Sequence, residues 1–208
     1  MNPKQSAKIS PDQKREEILS AANRRFQTYG YGKTTMAEIA KDCDMSAANL
    51  YRYFENKQDI GVMLAETCLG GQLTKLKQVV DDETLPTAEE RLTRFILTML
   101  HDTHHHWSQV PRMSELVDDI CNCRREIVHS HVADKRALLQ ALLQRGIDSG
   151  EFHVTDMDAV LEAILAATMI FEVPHFMSFH TLEEFEVKAK ALARLLVSGL
   201  SNQSITRA

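Results

Sequence analysis

The chain has 208 residues, of which 44% are hydrophobic and 25% charged, and its net charge is −5. This length accommodates one large domain or a small domain joined to a larger one. No apolar run reaches the roughly 18 residues that span a membrane, the N-terminus lacks the apolar segment of a secretory signal, and the four cysteines are not spaced like a disulfide framework. We therefore expect a cytoplasmic protein in a reducing compartment, with no membrane partner.

A complete helix-start signal stands near the N-terminus. Ser10 is followed by Pro11 and, three residues after the serine, by Gln13. This order is typical of a capping box with proline at the first helical position. Apolar residues then recur at spacings of three and four up to Phe26, and Gly30 is placed to end the helix.

The next segment, residues 34–57, predicts two short helices around a tight turn. Thr35 opens a second capping box, and a turn through Asp44 leads to Ser46, which caps a third helix with Leu50 on its inner side. Asn56 then caps a fourth helix. The first three helices can form a small core around Phe26, Ile39, Leu50 and Phe54, but one that is marginal alone.

The outer side of the third helix carries small and polar residues rather than the usual charges. An α-helix fits the major groove of DNA, where Asn and Arg can pair with base edges. Hydroxyl groups and positive charge at helix N-termini suit phosphates. The predicted DNA-contacting residues are Thr34, Thr35, Ser46, Ala47, Ala48, Asn49, Tyr51, Arg52, Tyr53 and Lys57. The alternative is an ordinary helical hairpin with a tyrosine-rich surface.

The distribution of charge agrees with DNA contact at one end of the molecule. Residues 1–57 hold ten Lys or Arg against seven Asp or Glu, a net charge of +3. Since the whole chain carries −5, residues 58–208 carry −8. A basic N-terminal part joined to an acidic remainder suits a protein that touches DNA at one end only.

The run T-x-x-x-I-A-x-x-x-x-x-S-x-x-x-L-Y-x-Y-F-x-x-K, from Thr35 to Lys57, resembles the DNA-binding domain of the TetR family of bacterial repressors. The resemblance implies a two-domain, all-helical homodimer with a ligand pocket in the C-terminal domain. Asp44 stands where the family usually has glycine, but Asp tolerates left-handed backbone better than most residues. By place in the motif, the residues that resemble phosphate contacts are Thr35, Tyr51 and Lys57, and those that resemble base-facing positions are Ala47, Ala48, Asn49 and Tyr53.

Residues 58–208 are expected to form five or six further helices. The predicted segments are 58–80, 87–106, 111–120, 124–149, 156–173 and 181–200. The sequence therefore predicts an all-α fold. An N-terminal three-helix helix-turn-helix domain occupies 1–57, and a larger helical ligand-binding and dimerisation domain occupies 58–208.

The last two predicted helices are more apolar than surface helices of a monomer. Small and apolar residues on both would allow close packing against twofold-related copies. These residues are Ala159, Ala163, Ala166, Ala167, Ile170, Ala189, Leu192, Ala193 and Leu196. A homodimer would place two recognition helices on a palindrome. The alternative is that both helices simply complete the domain core.

An apolar ligand pocket is expected in the C-terminal domain, because Met and aromatic side chains line adaptable sites. The candidate wall residues are Met99, Trp107, Met113, Ile120, Met169, Phe171, Phe176 and Phe179. The effector is an unknown small molecule, and no cofactor is predicted. These observations together favour a ligand-responsive repressor that a small molecule releases from a palindromic DNA operator. A DNA-binding adaptor whose C-terminal domain binds protein is another possibility.

A histidine-rich segment, residues 101–106, raises the alternative of a metal site. His101, His104 and His105 share a helix face at a spacing that suits transition-metal ligands. We favour a solvated histidine cluster and predict no metal. A metal-dependent hydrolase is the competing class, but a recognisable nucleophile, a Gly-rich phosphate loop and paired carboxylates are all missing, so no enzyme is expected. Cys121 and Cys123, two residues apart on a helix, are poorly placed to chelate, and thiol sensing by either is a further alternative.

Overall fold

The computed structural model describes residues 10–107 and 114–201, and these residues form helices and turns without any strand. The α-helices are α1 (Pro11–Tyr29), α2 (Met36–Asp42), α3 (Ala47–Leu50), α4 (Lys57–Asp81), α5 (Ala88–Trp107), α6 (Ser114–Cys123), α7 (Arg125–Asp148), α8 (Met157–Thr168) and α9 (Leu182–Ser201). Two short 3-10 segments, Met169–Phe171 and Pro174–Ser178, lie between α8 and α9. The predicted all-α fold class is confirmed.

The described residues divide into two compact units. The first, which we call the head unit, comprises residues 10–67 and 114–123, and the second, the body unit, comprises 68–107 and 124–201. Helix α4 begins in the head unit and ends in the body unit. The predicted domain boundary after Lys57 remains a prediction, since the head unit also takes in the first turns of α4 and the whole of α6.

The helix starts of the head unit form as their sequence signals predict. Ser10 accepts a hydrogen bond from the backbone of Gln13, and the Gln13 side chain accepts one from the backbone of Ser10. Gly30 ends α1 with a φ of 94°, a backbone conformation that glycine adopts without strain. Asn56 caps α4, with its Oδ1 atom 2.9 Å from the Asp59 nitrogen. These local contacts satisfy backbone groups that helix ends leave unpaired.

The head unit has a small apolar core. The four side chains predicted to form it are all buried, namely Phe26, Ile39, Leu50 and Phe54. Ile18, Ala22 and Ile60 join them, and α6 adds Leu116 and Ile120. Burial of one large apolar side chain stabilises the fold by about 1.5–3 kcal/mol. Because the helices of the head bury these side chains against one another, each helix is stabilised by its neighbours.

The core of the body unit is larger and is built mainly where α5 packs against α9. The inward residues of α5 are Leu92, Phe95, Ile96, Met99 and Leu100. Those of α9 are Phe185, Ala189, Ala193, Val197 and Leu200. Ala189 and Ala193, assigned by sequence to a dimer interface, are fully buried within one chain, because their small side chains let α9 lie close to its own neighbours.

The helix predicted over 156–173 is shorter in the structure. Helix α8 ends at Thr168, and the chain continues as the 3-10 turn Met169–Phe171. Pro174 then opens the second 3-10 segment, where its missing N–H is tolerated.

Among the described residues, no helix combines the length and apolar character that a membrane crossing requires.

Candidate functional site

Helices α2 and α3 form a helix-turn-helix with strongly defined ends. The Thr35 hydroxyl accepts from the Glu38 nitrogen at 3.3 Å, and the Glu38 carboxylate accepts from the Thr35 nitrogen at 2.9 Å. Asp44 in the turn has a φ of 51°, so the expected left-handed turn without glycine is confirmed. Ser46 caps α3 by accepting from the Asn49 nitrogen at 3.2 Å. The start of each helix is therefore fixed by its own sequence.

An arginine on α1 holds α2 in place. Arg25 donates to both carboxylate oxygens of Asp42, at 2.6 and 3.2 Å, and lies 3.4 Å from a Glu38 oxygen. The hydrogen bond from Arg25 lowers the pKa of the Asp42 carboxyl. A bidentate contact between a guanidinium group and a carboxylate fixes the orientation of the two side chains as well as the distance between them. No sequence motif links Arg25 with Asp42, so this contact could not be predicted from the sequence.

The exposed side of α3 and the turn after it presents several of the predicted contact residues. Leu50 anchors the helix and is fully buried. Tyr51 is 52% exposed, and Ala48 and Arg52 are also exposed, whereas the half-buried residues are Ala47, Asn49 and Tyr53. Ser46 and Thr35 lie at the surface at the starts of α3 and α2. This surface has groups suited to a DNA groove, and the individual contacts remain predictions.

Thr34 does not fit the prediction made for it. Its side chain is buried, and its hydroxyl donates to the Gly30 carbonyl oxygen at 2.9 Å. A buried hydroxyl is not available to a phosphate. The Thr35 hydroxyl donates to the Glu38 carboxylate at 2.8 Å but lies at the surface, so we keep Thr35 and withdraw Thr34 from the candidate contacts.

Lys57 has a structural partner in the head unit. Its ammonium donates to the Tyr31 carbonyl oxygen at 2.6 Å and lies 4.3 Å from the centre of the Tyr31 ring. Lys57 therefore ties the start of α4 to the loop after α1. Its predicted phosphate contact is compatible with this position, since an ammonium group carries three protons.

Helix α6 packs on the same loop. The Glu115 carboxylate accepts from the Gly32 nitrogen at 2.6 Å, and the Asp119 carboxylate accepts from the Tyr31 hydroxyl and from Gln58, both at 3.3 Å. Burial raises the pKa of the Tyr31 hydroxyl, so it stays protonated and donates. These pairs join residues far apart in the chain, which no local sequence pattern predicts.

The predicted pocket residues do not form one group. Met99 and Phe171 are buried in the body core and Phe176 packs against it, but Met169 and Phe179 are exposed. Ile120 belongs to the head unit, because α6 packs there rather than in the body. The side chain of Trp107 and the whole of Met113 lie outside the described residues. The pocket therefore remains a prediction, with Ile120 removed from the body site.

The histidine segment makes individual contacts. His101 lies 2.7 Å from a Glu186 oxygen, and His106 lies 2.7 Å from the Asp102 carbonyl oxygen. Within the described residues, no three His, Cys, Asp or Glu side chains are placed to hold a metal ion. Burial and the Asp118 charge raise the pKa of the Cys121 thiol, which disfavours the thiolate that thiol sensing requires.

Comparison with known proteins places this geometry in a family. Residues 18–61 match the family described as bacterial regulatory proteins, tetR family, and residues 88–193 match the tetracyclin repressor-like C-terminal domain. The second match alone covers half of the chain.

Similar proteins support both matches. The transcriptional repressor KstR2 of Mycolicibacterium smegmatis is 24% identical over 162 residues, which are 77% of this chain and 78% of that protein. The fatty acid metabolism regulator protein of Bacillus subtilis is 25% identical over 195 residues, 90% of this chain and 95% of that one. A TetR-family regulator structure from Mesorhizobium loti, 15% identical, covers 92% of this chain and 98% of its own with a TM-score of 0.73, which shows a shared fold.

A capped helix-turn-helix with an exposed second helix, a helical body and two family matches point to the same conclusion. The chain belongs to the tetR family of bacterial regulatory proteins and is a transcriptional regulator with a helix-turn-helix DNA-binding domain.

Proposed function

We propose that the protein is a repressor that binds a palindromic operator as a homodimer and is released by a small molecule bound in the body unit. The observation that carries this proposal is the exposed polar surface of α3 and the following turn on a rigidly capped helix-turn-helix. KstR2, which is similar over most of its length, is itself described as a repressor.

The DNA surface is best tested through one hydroxyl group. Tyr51→Phe removes a single oxygen from an exposed ring on the proposed contact surface, and Tyr29→Phe removes the same atom from an equally exposed ring on α1. We expect Tyr51→Phe to weaken operator binding by about tenfold, which corresponds to one hydrogen bond to a charged phosphate. Tyr29→Phe should bind like the wild type. Equal effects of both would remove the phosphate assignment of Tyr51.

Operator binding itself is tested by measuring affinity over a series of salt concentrations. The purified protein is titrated onto the DNA upstream of its own gene by fluorescence anisotropy, with a scrambled duplex as control. A sequence-specific complex should weaken steeply with salt, with about 0.9 units of log–log slope for each phosphate neutralised. Arg52→Ala is expected to reduce this slope if Arg52 contacts a phosphate and to leave it unchanged if it contacts a base. Weak binding that is equal for both duplexes would contradict the operator proposal.

The proposed dimer surface combines exposed faces of α8 and α9. Val187 and Leu195 are 64% and 70% exposed, and with the exposed Ala191 they form a stripe at four-residue spacing. The exposed small and apolar residues are Ala159, Ala163, Ala166 and Ala167 on α8 and Ile170 in the 3-10 turn that follows it. Apolar surface of this kind is typical of an interaction site. Leu195→Lys should therefore convert a dimer to a monomer in sedimentation, whereas Val132→Lys, at another exposed apolar position, should not.

Release of the operator requires the body unit to influence the head unit. Helix α4 begins in the head and ends in the body, and the chain returns to the head as α6, which holds the loop after α1 through Glu115. A ligand that lowers operator affinity a thousandfold needs about 4 kcal/mol of differential binding between the two states. Anisotropy of the operator complex during a small-molecule screen tests this step, and a complex that no compound releases would argue against it.

A further inference from the structure

The body unit contains several buried polar side chains, which we call the polar layer. Its members are Gln72, Asp102, Thr103, His131, Lys135 and Thr168. They come from four helices, and each lies within one or two turns of core residues such as Leu76, Leu100, Leu139 and Ile164. Burial of polar groups is unfavourable unless each finds a partner. The layer therefore interrupts an otherwise apolar interior.

Hydrogen bonds join three members of this layer, Gln72, Thr103 and His131. Gln72 donates to the Thr103 hydroxyl at 3.4 Å, and its carbonyl oxygen lies 3.0 Å from Nε2 of His131. With the Gln72 amide in this orientation its oxygen accepts, so Nε2 of His131 carries the proton. Burial lowers the pKa of His131 to about 4, so the ring is neutral at physiological pH. A neutral ring with its proton on Nε2 has a lone pair on Nδ1.

This Nδ1 atom is the exception in the layer. It is buried and has no hydrogen-bond partner among the described residues. Every other buried side-chain nitrogen and oxygen in the described part of the chain has one. A buried acceptor without a donor is destabilising, and its position beside core side chains makes it a candidate contact for a bound molecule.

A cation lies one turn further along α7. Lys135 is buried and its ammonium donates to Glu172, whose carboxylate also accepts from the Thr168 hydroxyl at 3.1 Å. One partner uses one of the three ammonium protons. The adjacent Glu172 balances its charge, as Lys75 balances Asp102. The layer thus offers an acceptor and a donor without excess positive charge, which favours a neutral ligand over an anion.

We propose that the effector is an apolar alcohol or phenol whose hydroxyl donates to Nδ1 of His131 and accepts from the ammonium of Lys135. A hydroxyl group matches both atoms, because it is donor and acceptor at once. The rest of the molecule is apolar, because the residues that flank the layer are apolar. This inference rests on the proposed function, since it names the chemical class of the released regulator's ligand.

The test uses matched probes on the full chain. The pairs 2-naphthol with 2-methylnaphthalene and phenol with toluene exchange a hydroxyl for a methyl group of similar size, and acetophenone supplies an acceptor alone. Dissociation constants are measured by calorimetry for the wild type, His131→Phe and His129→Phe. His129 is exposed on the same helix and serves as the matched control. Nitrogen NMR of the histidine rings reports the tautomer of His131 without any substitution.

The expected results are specific. The wild type and His129→Phe bind the hydroxyl probe of at least one pair about tenfold more tightly than its methyl partner, and His131→Phe loses this preference. NMR finds the proton of His131 on Nε2, and the hydroxyl probe moves its Nδ1 resonance. Equal affinity within both pairs, preference for acetophenone, a proton on Nδ1, or no hydroxyl probe bound would each overturn the inference.

The operator assay separates this inference from the proposed function. If a hydroxyl probe binds at His131 but leaves the operator complex intact, the site stands and ligand-driven release by that site fails. If other compounds release the operator with equal potency from the wild type and His131→Phe, release stands and the alcohol or phenol assignment fails.

Discussion

The head and body units differ in how many polar side chains they bury, since among the described residues the buried polar ones other than Thr34 lie in the body. In the head, capping groups such as Ser10, Thr35 and Ser46 satisfy the backbone three residues away at the surface. In the body, Gln72 joins Thr103 and His131, which are 31 and 59 residues distant, in the interior. The head thereby gains a rigid exposed surface from local signals, whereas the body keeps polar groups where a purely apolar core would be more stable.

This difference suggests a division of tasks. A surface that contacts DNA needs side chains held at the exterior, and stiff caps with a small core are sufficient for that. An interior that contains a buried His and a buried Lys is unfavourable for stability alone. We interpret the polar layer as a feature kept for binding.

The largest expected effects come from the two cores. Phe26 in the head and Phe95 in the body are both essentially fully buried. Replacement of either by Ala should lower the free energy of unfolding by about 3–5 kcal/mol through lost contacts and a cavity. Phe26→Ala should abolish operator binding while most helical circular dichroism persists, because the body core is separate. Calorimetry that shows one shared transition for both variants would contradict two independently packed units.

The next effect is a dependence of the free energy of unfolding on pH, which arises from His131 in the body unit. Because burial lowers the pKa of His131 from 6.5 to about 4, the unfolded chain takes up a proton below pH 6.5 that the folded chain does not. Stability is therefore lost as the pH falls from 6.5 towards 4, by about 2 kcal/mol at pH 5. Urea unfolding at pH 7.5 and pH 5 should show that His131→Phe lacks this part of the loss. The His129→Phe variant should retain it, and an identical pH dependence in both variants would refute the assignment.

Two helical glycines of the body unit should respond with opposite sign. A Cβ at Gly146 would collide with the Phe152 ring, whereas one at Gly70 would meet nothing within 4 Å. Gly146→Ala is therefore expected to destabilise the protein by about 1–3 kcal/mol. Gly70→Ala should stabilise it by about 0.5–1 kcal/mol, since alanine favours the helix.

Gly70 also tests whether α4 bends, because it lies on this helix just after the boundary of the two units at Thr67. If α4 bends there during release, Gly70→Ala should also raise the effector concentration needed to free the operator. Melting temperatures give the sign of each glycine effect, and anisotropy gives the release. A Gly70→Ala protein that is more stable but released normally would exclude a bend at this position.

The sequence predicted the head far better than the body. Cap, turn and core of the helix-turn-helix are encoded within a few residues, as the pairs Thr35 with Glu38 and Ser46 with Asn49 show. Even the glycine-free turn at Asp44 was expected, because its conformational tolerance is intrinsic. The error at Thr34 arose because its hydroxyl partner, Gly30, lies in the preceding helix end.

Long-range packing was beyond the reach of sequence patterns. Ile120 was placed in the body because α6 follows α5 in the chain, but Glu115 and Asp119 bind the head loop. Ala189 and Ala193 were assigned to a dimer interface, but they are buried within one chain. The sequence pattern of small apolar residues is the same in a domain core and in an interface. The polar layer was not predicted at all. Its members are spread over four helices, and isolated Gln, Thr and His residues give no periodic signal.

Two capping threonines separate stability from function. Thr35 caps α2 in the head and Thr87 caps α5 in the body, and each hydroxyl accepts from a backbone nitrogen three residues on, at 3.3 and 3.1 Å. Both residues are exposed. Replacement of either by Ala removes one cap and should lower the free energy of unfolding by about 1 kcal/mol.

Operator binding should distinguish the two variants that stability does not. Thr35→Ala is expected to weaken the operator complex at every salt concentration, because it loosens the start of α2 and removes a predicted phosphate contact. Thr87→Ala should leave the complex unchanged, since its helix belongs to the body core. Anisotropy titrations and urea unfolding on the same preparations give both quantities. Equal operator affinity in the two variants would mean that the surface at Thr35 does not face DNA, and the proposed interface would then be confined to α3 and the start of α4.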